Sequence, residues 1–110
     1  MVIVQIVRSP DGKITAFRVK GHAGYADPGE DIVCAAISAI TVGTVNSVEV
    51  LAGTVMSTRM KNGFLSGSLP PIESDELKAK AELILDSMVV MLEAIVNSYR
   101  EYIRIDNVTK

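Results

Sequence analysis

The longest uncharged stretch of the chain, Ile32 to Val48, restricts the possible folds more than any other feature. It is longer than an ordinary strand, and its internal hydroxyl and amide side chains leave it short of the roughly 20 apolar residues that a membrane span requires. Its β-branched residues would suit a strand, but its length and the absence of an internal turn signal favour a helix. We therefore predict a buried helix that begins near Asp31 and stops near Gly53.

A β-hairpin is predicted on each side of this helix. Met1 to Arg8 and Ile14 to Lys20 are β-prone runs separated by a Pro-Asp-Gly turn. Thr54 to Lys61 and Phe64 to Leu69 flank Asn62-Gly63, a dipeptide that strongly favours a two-residue hairpin turn. Two β-hairpins that alternate with helices indicate a mixed domain with antiparallel strand pairing.

A second, longer helix is predicted to start at Ser74, whose hydroxyl can cap the free amides of its first turn. The apolar residues that follow recur at spacings of three and four, which is the helical period; they are Leu77, Ala81, Ile84, Met88, Met91, Ile95, Tyr99 and Tyr102. The predicted fold is therefore α+β, a single domain over residues 1–110 in the order ββαββα, with antiparallel hairpins packed against two helices.

Both predicted helices carry more apolar surface than one small domain needs. Met88-Val89-Val90-Met91-Leu92 is an unbroken apolar run, and successive helical residues turn through about 100°, so the run covers every side of its helix. The start of the first helix does the same. A tight layer between helix and sheet would explain this, but we favour a contact between two identical copies, which predicts a homodimer.

Composition excludes several classes of protein. The formal net charge of −2 and the pI near 5.3 give no basic footprint, so no direct nucleic-acid partner is expected. A single cysteine cannot form an intramolecular disulfide and suits a reducing compartment. No signal peptide is evident at the N-terminus, and we expect a soluble cytoplasmic protein without membrane contact. One cysteine, one histidine and scattered carboxylates lack the ligand spacing of a zinc site, so no metal or cofactor is expected.

His22 and Cys34 are the only histidine and the only cysteine, and together they could form a nucleophile and its general base. A helix that starts near Asp31 places Cys34 in its first turn, where the positive end of the helix dipole favours a thiolate. Amides at this helix start could hold an oxyanion. On these residues alone, an inert buried cysteine and a turn histidine are the more common interpretations.

Two further residues could assist this pair. Asp31 could orient the imidazole of His22 as a third catalytic residue, or it could simply cap the helix. Ser38 lies one helical turn beyond Cys34 and could donate to a developing oxyanion, or bond a backbone carbonyl as a core hydroxyl. Asp27 and Glu30 join Asp31 in an acidic rim that would suit a basic peptide substrate.

The motif Gly21-His22-Ala23, followed after a short loop by Asp31-Ile32-Val33-Cys34-Ala35-Ala36-Ile37-Ser38, resembles the ribosomal-processing cysteine proteases, the Prp family. The resemblance extends over the whole chain, through an N-terminal hairpin, this loop and helix, an Asn-Gly hairpin and a long C-terminal helix. It implies one cysteine-protease-like domain over residues 1–110 and a homodimeric cytoplasmic endopeptidase with a Cys–His dyad.

The resemblance also implies particular roles for residues. Cys34 would be the nucleophile and His22 the general base, while Asp31 and Ser38 match the motif with supporting roles. The substrate would be the N-terminal extension of the twenty-seventh large-subunit ribosomal protein, removed during ribosome assembly. The loop from Ala23 to Glu30 would be mobile and close over the peptide, with Gly24, Tyr25, Asp27, Gly29 and Glu30 as its substrate-facing residues. The alternative function is a non-catalytic dimeric ribosome-assembly binding module in which Cys34 is inert.

Overall fold

Two helices cover one face of a five-stranded sheet in the computed structural model, which describes residues 1–27 and 30–110. The sheet has the strand order β3-β4-β2-β1-β5. The elements in chain order are β1 (Val2–Arg8), β2 (Ile14–Lys20), α1 (Ile32–Ala52), β3 (Ser57–Lys61), β4 (Phe64–Ser68), α2 (Asp75–Ser98) and β5 (Ile103–Thr109). The α+β class and the first six elements agree with the predicted order.

The first helix begins and ends where the sequence predicts. Asp31 is its N-cap, with an extended backbone, and Gly53 ends it in the left-handed conformation at φ 61°. By length and composition alone α1 could cross a membrane, contrary to the expectation that its polar residues leave it too short. Its buried stripe packs into the core instead, through Val33, Ile37, Thr41, Thr44, Val48 and Ala52.

The predicted end of the second helix is wrong, and a fifth strand follows it. The second helix stops at Ser98, so Tyr99 and Tyr102 lie beyond it, although both continue its apolar spacing. The chain then turns, with the Tyr102 amide donating to the Tyr99 carbonyl at 2.9 Å, and enters β5. This fifth strand pairs parallel with β1, whereas the other pairs in the sheet are antiparallel. Its alternating Ile-Arg-Ile-Asp pattern is a period-two signal that the longer helical pattern obscured.

Alternation along the central strands separates a buried face from an exposed one. Val2, Val4 and Ile6 of β1 point into the core beside Phe17 of β2, which is fully buried. On β4 the equivalent inward positions are Leu65 and Gly67. A Cβ at Gly67 would lie 3.0 Å from Cε1 and 3.1 Å from Cζ of Phe17, so a glycine here is what lets the ring pack against the strand.

We predict that Gly67→Ala destabilises the fold. The added methyl group would overlap a ring that has no exposed side to move towards, and overpacking of this kind costs about 1–3 kcal/mol. The free energy of unfolding from urea titration measures the effect. Ser68→Ala, at the exposed next position of β4, is the matched control and should change stability by less than about 0.5 kcal/mol. Equal stabilities of the two variants would contradict this account of the core.

Candidate active site

His22 is held at the end of β2 by two close backbone approaches that only glycine permits. Gly21 has φ 91°, its amide donates to the Gly63 carbonyl at 2.9 Å, and a Cβ on it would lie 2.6 Å from the Met1 carbonyl oxygen. A Cβ on Gly63 would in turn lie 2.8 Å from Nε2 of His22. The imidazole therefore lies against the turn between β3 and β4. The sequence predicted that turn, but gave no sign that it would contact the histidine.

Cys34 lies in the first turn of α1, half-buried, as the sequence predicts. Its Sγ accepts a hydrogen bond from the Ala23 amide at 3.2 Å. Because Ala23 directly follows His22, this bond ties the start of the loop to the thiol. The sulfur is thus held by a backbone amide at the start of the helix.

His22 and Cys34 line one cavity of about 290 Å³, together with Ser38. The cavity lies between the start of α1 and the hairpin formed by β3 and β4, whose turn residues Asn62 and Gly63 also line it. The structure therefore places the predicted base, His22, and the predicted nucleophile, Cys34, in the same cavity. Ser38 lines this cavity as well. An open cleft with a thiol, an imidazole and a hydroxyl can perform acyl transfer.

In the part of the chain that the structure describes, the carboxylate of Asp31 binds backbone amides and does not orient the imidazole of His22. Its Oδ1 accepts from the amides of Val33 at 3.0 Å and Cys34 at 2.9 Å, which is the capping arrangement. Its Oδ2 accepts from the loop amides of Tyr25 at 3.0 Å and Ala26 at 3.3 Å. Within the described residues its hydrogen bonds go to these backbone amides rather than to His22. Asp31 thus joins the loop to the helix start.

These amides stabilise the ionised form of the Asp31 carboxyl. The Cys34 amide is the largest cause of a pKa below its ordinary value of 3.8, and the amides of Ala26, Tyr25 and Val33 act in the same direction. Desolvation of the carboxyl opposes them and raises the pKa, but by less in sum.

The remaining loop residues lie around this carboxylate. Gly24 has φ 72°, a left-handed conformation that suits a glycine. Asp27 and Glu30 are both exposed, and the Glu30 amide donates a hydrogen bond to the Asp27 carbonyl at 2.9 Å. Neither carboxylate is among the described residues that line the cavity. Gly29 lies outside the described residues.

Tyr25 anchors the loop to the far end of the second helix. Its ring meets Tyr99 edge-on with centroids 5.8 Å apart, and Tyr102 in the same manner at 5.3 Å. The spacing of Tyr99 and Tyr102 predicts only two further helical residues. Their contact with Tyr25 is not predictable, because residues so far apart in sequence give no pairwise signal.

We predict a pH-dependent loss of stability in Asp31→Asn. The asparagine can still cap α1, but its NH₂ group cannot accept from the amides of Tyr25 and Ala26. The pKa of the Asp31 carboxyl is lower in the folded protein than its ordinary value of 3.8 in the unfolded chain. The ionised carboxylate therefore stabilises the wild type above pH 3.8, and this stabilisation is lost as the pH falls from 3.8 through the pKa of the folded state. The urea midpoint of the variant should therefore lie below that of the wild type at pH 7, and the gap should close below about pH 3.8.

The matched control is Asp86→Asn, which removes the same charge from an exposed position of α2. Its midpoint should follow that of the wild type at both pH values. A gap for Asp31→Asn that stays constant down to pH 3 would show that the carboxylate is not the stabilising form.

The chain is similar to known proteins along nearly its full length. The family described as cysteine protease Prp matches residues 1–104. The ribosomal processing cysteine protease Prp of Bacillus subtilis (strain 168) is 36% identical over 107 residues, which is 96% of this chain and 96% of that protein. The protein of the same description from Staphylococcus aureus is also 36% identical, over 96% of this chain and 98% of its own length.

Solved structures show the same fold. The Staphylococcus aureus protease Prp with a covalently linked product peptide is 33% identical and superposes with a TM-score of 0.87, over 97% of this chain and 99% of that chain. The same protease with a substrate peptide gives a TM-score of 0.82 at 31% identity, with the same coverage. Both the sequence and the fold match over nearly the full length, and the chain belongs to the cysteine protease Prp family.

Proposed function

We propose that this protein is a cysteine endopeptidase in which Cys34 is the nucleophile and His22 the general base. The observation that carries the proposal is the shared cavity, in which the Ala23 amide holds the Cys34 sulfur while the adjacent His22 lines the same space. Membership of a cysteine protease family supports the reaction type. The relatives crystallised with substrate and product peptides support a peptide as the ligand of this cavity.

The proposed reaction passes through a thioester. His22 takes the proton of the Cys34 thiol, and the thiolate attacks the carbonyl carbon of the scissile bond. The tetrahedral intermediate collapses as the amine leaves with the proton that His22 returns to it. Water, deprotonated by His22, then attacks the thioester, and the carboxylic acid and the free thiol are released.

In this proposal the hydrogen-bond donors to the oxyanion are not the backbone amides at the start of α1, which the sequence predicts. The amides of Val33 and Cys34 are engaged by Asp31, so they are not free to hold a developing charge. The Ala23 amide lies next to the attacking sulfur and can transfer its hydrogen bond to the oxyanion as the carbon–sulfur bond forms. The Ser38 hydroxyl, exposed at the cavity wall, is the second donor.

The proposed substrate is the N-terminal extension of the twenty-seventh large-subunit ribosomal protein. The relatives are named ribosomal processing proteases, which supports this class of substrate. The exposed carboxylates of Asp27 and Glu30 at the loop would attract a basic segment of such a protein. In this proposal Gly24, Tyr25, Asp27 and Glu30 belong to a loop that closes over the bound peptide.

We predict that Cys34→Ala and His22→Ala each abolish cleavage. The first substitution removes the nucleophile, and the second removes the group that activates it. Either substitution alone should lower the rate of cleavage by about 10³-fold or more. Intact-mass measurement of the full-length ribosomal protein from the same genome, incubated with each variant, detects the truncation. Ser68→Ala, at the exposed end of β4, is the control and should cleave as the wild type does.

Each outcome decides between two functions. Cleavage retained by either dyad variant would exclude the Cys–His mechanism. An unchanged substrate mass with folded, reduced wild-type protein would favour the binding module with an inert Cys34.

We also propose that the protein acts as a cytoplasmic homodimer. The outer groove between α1 and α2 encloses about 420 Å³ and is lined by apolar residues that include Ile40, Leu51 and Met91. Leu51 of α1 is 61% exposed in this groove, and Val90 of α2 is 66% exposed, which leaves part of the apolar surface of both helices uncovered within one chain. A second copy packed on this face would cover both helices by the same contact.

We predict that Val90→Glu converts the dimer to a monomer. The substitution places a charge within the apolar contact, where it would have no partner. Sedimentation analysis of the molecular mass at micromolar concentration measures the effect. Met60→Glu introduces the same charge at an equally exposed apolar residue on β3 and should leave the mass unchanged. A monomeric wild type, or dissociation of both variants, would exclude this interface.

A further inference from the structure

Charge is divided between the two sides of the fold, although the chain as a whole is slightly acidic. The five strands carry six of the chain's 11 lysines and arginines and one of its 13 acidic residues. The two helices carry six acidic residues and two lysines. The net charge of −2 therefore averages a basic sheet with acidic helices, and it conceals a local positive field.

Strand register gathers four of these cations on the exposed face of the sheet. Arg59 of β3 and Arg18 of β2 are both paired with Ser66 of β4, so all three side chains point to the same side. Since Phe17 and Leu65, which alternate with them, are buried, this side is the solvent face, away from the helices.

The next row repeats the arrangement. Lys61 and Lys20 are both paired with Phe64, two residues along the same strands. Strand geometry places the four cations at the corners of a rectangle of about 10 by 7 Å. We call Arg18, Lys20, Arg59 and Lys61 the basic quartet.

The quartet is free to meet a ligand. All four residues are exposed, and none takes part in the salt bridges found among residues 1–27 and 30–110. The other two strand cations are engaged: Arg104 by the Asp106 carboxylate, and Arg8 by the Asn107 side chain and the Gly12 carbonyl. The positive charge of the sheet is therefore concentrated on β2 and β3.

Protection of a sheet edge explains only half of this pattern. Lysine and arginine on an edge strand prevent pairing with other chains, which accounts for Arg59 and Lys61 on β3. Arg18 and Lys20 lie on β2, which is paired on both sides and needs no such protection. A membrane surface is also a poor match, because the most exposed apolar residues of the helices, Val50 and Leu83, lie on the opposite side.

We propose that the basic quartet docks on the phosphate backbone of RNA. Four cations on an open sheet match a run of phosphates, and Phe64, flanked in register by Lys20 and Lys61, offers a ring for a base to stack on. The choice of RNA rather than another polyanion rests on the proposed function, because a protease of ribosomal proteins works beside ribosomal RNA. The proposal departs from the expectation of no nucleic-acid partner, which used net charge alone.

One member of the quartet, Lys61, lines the catalytic cavity, as does Phe64, whereas Arg18, Lys20 and Arg59 are not among its lining residues. Lys20 directly precedes Gly21 and His22, and Lys61 directly precedes the turn whose Gly63 lies against the imidazole. RNA bound on the sheet would hold the cavity at the surface of the assembling subunit. The local concentration of the protease near its substrate would rise without any change in the chemistry of the cleavage step.

Fluorescence anisotropy with a labelled 20-nucleotide single-stranded RNA of mixed sequence tests the proposal. Four phosphate contacts predict that affinity falls about fiftyfold between 50 and 200 mM salt. Arg18→Gln with Arg59→Gln should weaken binding at least tenfold at 50 mM salt and roughly halve the salt dependence. Lys78→Gln with Lys80→Gln removes the same charge from α2 and should bind RNA as the wild type does.

Two readouts separate this proposal from the proposed protease. Cys34→Ala should bind RNA with wild-type affinity, whether or not the wild type cleaves the ribosomal protein. Arg18→Gln with Arg59→Gln should cleave a free peptide at the wild-type rate, because neither arginine lines the cavity.

Several results would overturn the proposal. These are equal loss of RNA binding in the sheet and helix variants, no binding by the wild type at 50 mM salt, and tighter binding to phosphatidylserine vesicles than to RNA. Equal affinity for single-stranded DNA of the same sequence would overturn the assignment to RNA and leave a general phosphate-binding face.

Discussion

The carboxylate of Asp31 is the interaction on which the arrangement of the site depends. One oxygen caps α1 and thereby orients Cys34, and the other gathers the amides of Tyr25 and Ala26. A single ionised group thus determines where the helix begins and how the loop reaches it. The Ala23 amide can then meet the Cys34 sulfur, since the loop is held on both sides of that contact. A charged acceptor suits this position because it can hold several amide donors at once.

Backbone spacing supplies the other half of the site. Gly21 and Gly63 remove the side chains that would separate the end of β2 from the N-terminus of β1 and from the hairpin turn. His22 is therefore carried by a strand end in the rigid sheet, whereas Cys34 is carried by a helix. Two side chains carried by packed elements keep their relative position better than two residues on one loop would. Tyr25, packed on Tyr99 and Tyr102, links the loop between them to the second helix.

The two surfaces of the molecule have different characters. The helices present apolar and acidic residues and the sheet presents basic ones. The cavity lies where these surfaces meet, between the start of α1 and the hairpin formed by β3 and β4. A dimer through the helices and RNA on the sheet would therefore occupy opposite sides of the molecule.

The local elements and the chemistry available to them are predictable from the order of the residues. The Asn62-Gly63 turn, the Asp31 cap and the Gly53 stop are short-range signals, because each depends on the conformational preferences of a few adjacent residues. The single histidine and single cysteine likewise limited the nucleophilic chemistry to one segment. The end of α2 was misplaced because Tyr99 and Tyr102 continue a helical spacing.

Contacts between distant segments follow from the folded arrangement and not from any local pattern. Examples are the parallel pairing of β5 with β1, the approach of Gly63 to His22, the direction of the second Asp31 oxygen, and the gathering of four cations on one face of the sheet. Each depends on which strands become neighbours and in which register. Register follows from packing of the whole core rather than from any local pattern.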